Sequence, residues 1–163
     1  MNNKLRKIVL VIVSMLVIVT VMAGCSSNKE PEQGTDSETV VGIGEIKVSL
    51  SIMCGTLESV DKDLMDKVST DGEILKKTEF MITPGMTVLD VLKASGVDFV
   101  ENGGMVSEIN GLGSGQAGEM SGWLFTINDE FPMDAVDQLT LNEGDEILFA
   151  YTCDGGEDLG MTF

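Results

Sequence analysis

The sequence predicts an α+β domain, and three observations carry that prediction. Residues alternate strictly polar and apolar near residue 47, one capped amphipathic helix begins at Thr87, and two apolar strand segments follow it. Lys47-Val-Ser-Leu-Ser-Ile-Met53 places Val48, Leu50 and Ile52 on one face, the period of a strand with one buried side. Leu57 to Val68 is charged, with Leu64, Met65 and Val68 at helical spacing, and reads either as a short surface helix or as an irregular excursion. Lys76 to Thr83 alternates through Phe80 and Ile82 and stops at Pro84-Gly85. Thr87 with Asp90 three residues later is the pattern of a reciprocal N-terminal cap. Val88, Leu89, Val91 and Leu92 supply that helix's apolar face, and Gly96 its stop. Val97 to Ile109 is ambiguous, two short strands around Gly103-Gly104 being one reading. Gly111 to Gly118 is a glycine-rich loop. Trp123 to Ile127 is a strand turned at Asn128-Asp129, and Glu146 to Thr152 is a strand entered through the tight turn Asn142-Glu-Gly-Asp145.

Composition narrows the function. The 163 residues hold 10 basic and 27 acidic side chains, a formal net charge of -17, which opposes nucleic-acid binding because phosphate contacts need clustered Lys and Arg. There is no His, so Ser-His-Asp and Cys-His catalysis, His-based zinc sites and His coordination of cobalt are excluded. A non-catalytic binder is expected, with no required cofactor and no metal site. Asp61, Asp63 and Asp66 suggest a calcium loop only superficially, since the Gly and terminal Glu of an EF-hand are missing at their spacing.

Lys4, Arg6 and Lys7 precede an apolar run from Ile8 to Met22, too short for a bilayer-spanning helix of about 20 residues and suited to a secretory signal. Met22-Ala23-Gly24-Cys25 resembles the bacterial lipobox. That resemblance implies cleavage before Cys25, acylation of its sulfur, and a protein held by acyl chains on the extracytoplasmic face of the cell membrane. Two or more chains anchor stably where one is marginal. The expected organisation is a signal peptide over 1–24, the lipidated Cys25 and a polar tether over 25–44, and one domain over 45–163.

Within that domain, Gly85-Met-Thr-Val-Leu-Asp-Val-Leu92, Ile109-Asn-Gly-Leu112, Ser121-Gly-Trp-Leu-Phe-Thr-Ile-Asn128, Leu141-Asn-Glu-Gly-Asp-Glu-Ile147 and Tyr151-Thr-Cys-Asp154 come in order at sensible spacing. Together they resemble the transcobalamin-like C-terminal domain family, widespread in Gram-positive surface proteins and catalogued as of unknown function. The resemblance implies a β-grasp-like sheet around the single helix, with first and last strands adjacent. It also implies cobalamin or another corrinoid as ligand, because in transcobalamin and intrinsic factor this domain closes over one face of cobalamin. A second, larger domain makes much of that site and has no counterpart here, so a partner such as a transporter or another surface protein is expected to complete it. Asp129 stands where the family's turn often carries Gly.

Adjacent first and last strands would bring Cys54 and Cys153 together, and an extracytoplasmic setting permits a disulfide between them. The ligand is expected at the sheet end formed by Gly113, Gly115, Trp123, Asn128, Phe131 and Tyr151. Trp123 admits two readings, an aromatic platform for a flat ligand or the core anchor of the sheet, and its shared parity with Phe125 and Ile127 favours the core. Gly113-Ser-Gly-Gln-Ala-Gly118 satisfies a dinucleotide-binding string but lacks the strand-before, helix-after context that string needs. The alternative function is a cell-surface protein-interaction or adhesion module that uses an exposed strand edge.

Overall fold

The computed structural model describes residues 44–160. The expected signal peptide, Cys25 and most of the tether lie outside the described residues. Alternation produces β1 (Ile46–Met53), whose Val48, Leu50 and Ile52 are buried. A 3-10 turn (Gly55–Ser59) and α1 (Lys62–Val68) follow, so the charged stretch is a short surface helix that buries only Met65 and is capped by the Asp61 carboxylate. β2 (Glu73–Ile82) then pairs antiparallel with β1.

The reciprocal cap forms at α2 (Val88–Ala94). The Thr87 N–H donates to Asp90 Oδ2 at 2.9 Å, and the Asp90 N–H donates to Thr87 Oγ1 at 3.3 Å. The helix is only seven residues long, and most of its stability must come from tertiary packing. Val88, Leu89, Val91 and Leu92 join the inward residues of the sheet in one core. The ambiguous stretch resolves into β3 (Phe99–Asn102) and β4 (Met105–Ile109), a hairpin extended by the two-residue β5 (Leu112–Gly113).

β6 (Gly122–Ile127) and β7 (Glu146–Thr152) complete the main sheet, whose order is β2-β1-β7-β6. The outer pairs are antiparallel and the central β1–β7 pair is parallel. Hairpin, helix, hairpin with a parallel central pair is the β-grasp arrangement. Asn128 and Asp129 both have positive φ, 54° and 65°, as the right-handed twist of a two-residue hairpin turn demands. Asp129 therefore tolerates the left-handed conformation without glycine, although an L-residue is strained there.

Two outcomes test this local chemistry. Asp129→Gly relieves the left-handed strain and should raise stability by about 1 kcal/mol or less, read as a higher denaturant midpoint at unchanged slope. The Thr87 N–H holds the Asp90 carboxyl below the usual carboxylate range, against a smaller opposing effect of burial. A depressed folded-state value makes this stabilisation complete above the ordinary carboxyl range and lost as pH falls through the folded value. Asp90→Asn should thus cost about 1 kcal/mol at pH 7, and the gap to the native protein should close below about pH 3.9.

Candidate functional site

Two aromatic side chains with polar tips organise the surroundings of β6. Trp123 donates its Nε1–H to the Leu112 carbonyl at 2.7 Å, and the Tyr151 hydroxyl donates to the Gly113 carbonyl at 2.8 Å. The same hydroxyl lies 3.0 Å from Ser121 Oγ, which itself accepts the Ala117 N–H. The rings meet edge to face, with centroids 5.2 Å apart. The glycine loop is thereby stitched to the sheet. Gly113 and Gly115 serve in that stitching, the latter through its N–H to the Ser121 carbonyl.

A cleft of about 320 Å³ opens beside β6. Its floor is Trp123, Phe125, Phe149 and Val136; one wall is the β3–β4 tip at Gly104–Val106, and the other is the segment from Phe131 to Ala135. Phe125 and Phe149 are stacked with centroids 5.4 Å apart. Met105 is 74% exposed and Met133 100% exposed at the rim, and Phe131 is also exposed. Asp134 is the only ionisable side chain of the lining.

Both walls are fixed by backbone contacts. The Val136 N–H donates to the Gly104 carbonyl at 3.2 Å, and Gly104, at φ +82°, approaches so closely that a Cβ would collide with Ala135 and lie 2.7 Å from Asp137 Oδ1. The Val136 and Leu139 carbonyls accept the Leu89 and Val88 N–H groups at 2.9 and 3.1 Å, so two free donors of the α2 N-terminus hold the opposite wall. Asn128 closes the hairpin end: its amide donates to Asp145 Oδ1 at 2.8 Å, and its side-chain oxygen accepts the Glu146 N–H at 2.9 Å.

Of the six ligand-site residues expected from sequence, the structure brings Trp123 and Phe131 to the cleft. Tyr151 is fully buried, so its hydroxyl sits in the core network and not at a rim. Gly113, Gly115 and Asn128 do not line the cleft. Phe125 and Phe149 do, although their parity with core residues concealed it. Met105 and Met133 carried a usable signal, being large apolar residues next to glycine or proline in otherwise polar surroundings.

Cys54 and Cys153 are free thiols, which corrects the expected disulfide. Their strands are adjacent as anticipated, but the parallel register pairs Met53 with Ala150 and so sets Cys54 level with Tyr151, two residues short of Cys153. Thr56 occupies the place beside Cys153: its hydroxyl lies 3.8 Å from the Cys153 sulfur and donates to the Tyr151 carbonyl. Burial pushes both thiols above their ordinary range.

Among the described residues no three acidic or cysteine side chains are placed to hold a metal ion. Asp61 caps α1 and Asp66 pairs with Lys62 at 2.7 Å. Asp158 accepts the Cys153 N–H at 2.8 Å and Asp154 accepts the Asp158 N–H at 2.9 Å, closing the last loop on itself.

Residues 85–153, from the turn before α2 to the end of β7, match the family model described as Domain of unknown function (DUF4430). No curated protein matches the chain. Among solved structures, haptocorrin in complex with Cbi is similar at 12% identity and a TM-score of 0.49, over 68% of this chain and 25% of that one. A candidate metal-binding protein from Ruminococcus gnavus ATCC 29149 is similar at 14% identity and a TM-score of 0.44, over 66% of this chain and 97% of that one. The chain thus spans a quarter of the haptocorrin chain.

Tyr151→Phe tests the stitching of the glycine loop. It removes the shorter of two hydrogen bonds to the buried Gly113 carbonyl, the Gln116 N–H remaining at 3.4 Å, and should cost about 1 kcal/mol, measured by denaturant unfolding. A change within about 0.5 kcal/mol would show that the hydroxyl is not structurally required.

Proposed function

We propose that this chain is a non-catalytic binding protein, lipid-anchored through Cys25 on the extracytoplasmic face, whose cleft beside β6 holds the apolar face of a small ligand. Corrinoids are the proposed ligand class. The carrying observation is the cleft itself: an aromatic floor, a thioether and phenyl rim, and walls pinned by backbone hydrogen bonds. Apolar pockets with a few polar groups, starting at about 300 Å³, are the usual form of small-molecule sites. Exposed methionines adapt their shape to a flat apolar surface. At this size the cleft covers part of a corrin macrocycle, so the ligand would lie across the mouth and leave its other face for a partner protein. A lining with one ionisable group supports binding over reaction, because proton transfer needs a positioned acid or base within reach of the reacting atom.

The test is equilibrium dialysis of the full chain in detergent against cyanocobalamin and cobinamide, with Phe131→Ala and Met120→Ala variants alongside. Saturable binding at micromolar concentration is expected, weakened about tenfold by Phe131→Ala, or about 1.4 kcal/mol. Met120→Ala should leave it unchanged, since Met120 is exposed but lies outside the cleft. Absence of binding to either corrinoid at about a millimolar would overturn the corrinoid assignment.

A further inference from the structure

We propose that the outer edge of β6, unpaired at Trp123 and Phe125, takes up an extended, cationic polypeptide segment as an added strand, with alternate side chains of that segment seated on either face of the edge. This goes beyond the small-ligand reading, though both ligands would use the cleft. β7 directs the Asp145 carbonyl toward β1, where it accepts the Ser49 N–H at 2.9 Å, and the Glu146 carbonyl toward β6, where it accepts the Asn128 N–H at 2.9 Å. Antiparallel pairing alternates, so the even-numbered residues of β6 bond to β7 and the odd-numbered ones face outward. Ile127 confirms the direction, exchanging hydrogen bonds with Glu130 on the outer side at 3.0 and 3.1 Å. The N–H and C=O groups of Trp123 and Phe125 therefore point away from β7, and among the described residues none of these four groups has a hydrogen-bond partner.

The two sheet edges differ in kind. β2, on the far side, carries Glu73, Lys76, Lys77 and Glu79 and has shifts in register, the usual protections against strand addition. β6 reads Gly-Trp-Leu-Phe-Thr-Ile, with no charge and no proline. Two outward pairs of backbone groups, two residues apart, repeat at about 6.7 Å, the spacing an extended polypeptide presents. An added strand also sends side chains alternately to opposite faces. The cleft and a second depression of about 200 Å³, which adds Thr126, Leu148, Ala150 and Leu159, adjoin at this edge and share Leu124, Phe125 and Phe131. Charge selects among peptides. Asp134 belongs to the first depression and Asp129 to the second, with Glu130 exposed between them, and neither lining contains Lys or Arg. A basic segment with apolar residues between its charges is complementary to both features.

The probe is a fluorescein-labelled, amidated pentapeptide Lys-Val-Leu-Val-Lys, titrated by anisotropy into the full chain in detergent. Two control peptides carry N-methyl groups on the three central amides, or Glu in place of both Lys. Saturable binding is expected, weakened at least tenfold in each control. Hydrogen exchange of the Trp123 and Phe125 amides should slow at least tenfold with peptide bound, while Leu124 and Thr126, already paired with β7, should change little. No binding at millimolar peptide, equal binding of the N-methylated or acidic control, or binding without protection of those two amides would each overturn the proposal. Cobinamide binding without peptide binding would overturn it and leave the small-ligand reading standing, and the converse result would do the reverse.

Discussion

The parallel contact between β1 and β7 is the constraint on which the rest of the domain depends. Parallel neighbours cannot be joined by a tight turn, so the chain between them must leave the sheet, cross it and return. The excursion supplies α2, the β3–β5 hairpin sheet and β6, and it leaves β1 and β7 central, with Leu50, Ile52, Ile147, Phe149 and Tyr151 fully buried. Because the pair sits in the middle, each outer strand has one partner and one open side.

That asymmetry produces the cleft. β6 is an outer strand whose open side is flanked, not paired, by the β3–β4 tip and the segment after its own hairpin turn. The two flanks meet at the Gly104–Val136 hydrogen bond, and the second is also held by the α2 N-terminus. The space between keeps an aromatic floor because Phe125 and Phe149 are stacked across the β6–β7 pair. The Trp123 and Tyr151 bonds to Leu112 and Gly113 hold the glycine loop against the start of β6. One strand edge thus carries both the apolar surface and the unpaired backbone polarity of the site.

Much of the fold was legible locally. The alternation in β1, the Thr87–Asp90 cap and the strands at Trp123 and Glu146 are written in residues two to four positions apart, and the observed elements follow them closely. The site was legible only in part. Phe131 stood out because proline and an acidic turn flank it, and parity placed Trp123 in the core, where it is buried. The cleft role of Phe125 was hidden, since parity names a sheet face but not whether a neighbouring element fully covers it, and the buried Phe149 lies stacked against it. Tyr151 was expected among the ligand-site residues, but its hydroxyl bonds the Gly113 carbonyl, 38 residues away, inside the core.

By itself the sequence determined the α+β class, the acidic character, the absence of histidine chemistry and the position of the capped helix, because each depends on composition or on short-range stereochemistry. Tertiary structure alone decided the strand order, the free thiols and the open edge. Those depend on long-range register: a two-residue offset between β1 and β7 separates Cys54 from Cys153, and the direction of one backbone hydrogen bond turns Trp123 and Phe125 outward. Register is set by the packing of the whole core, and no local pattern of residues encodes it.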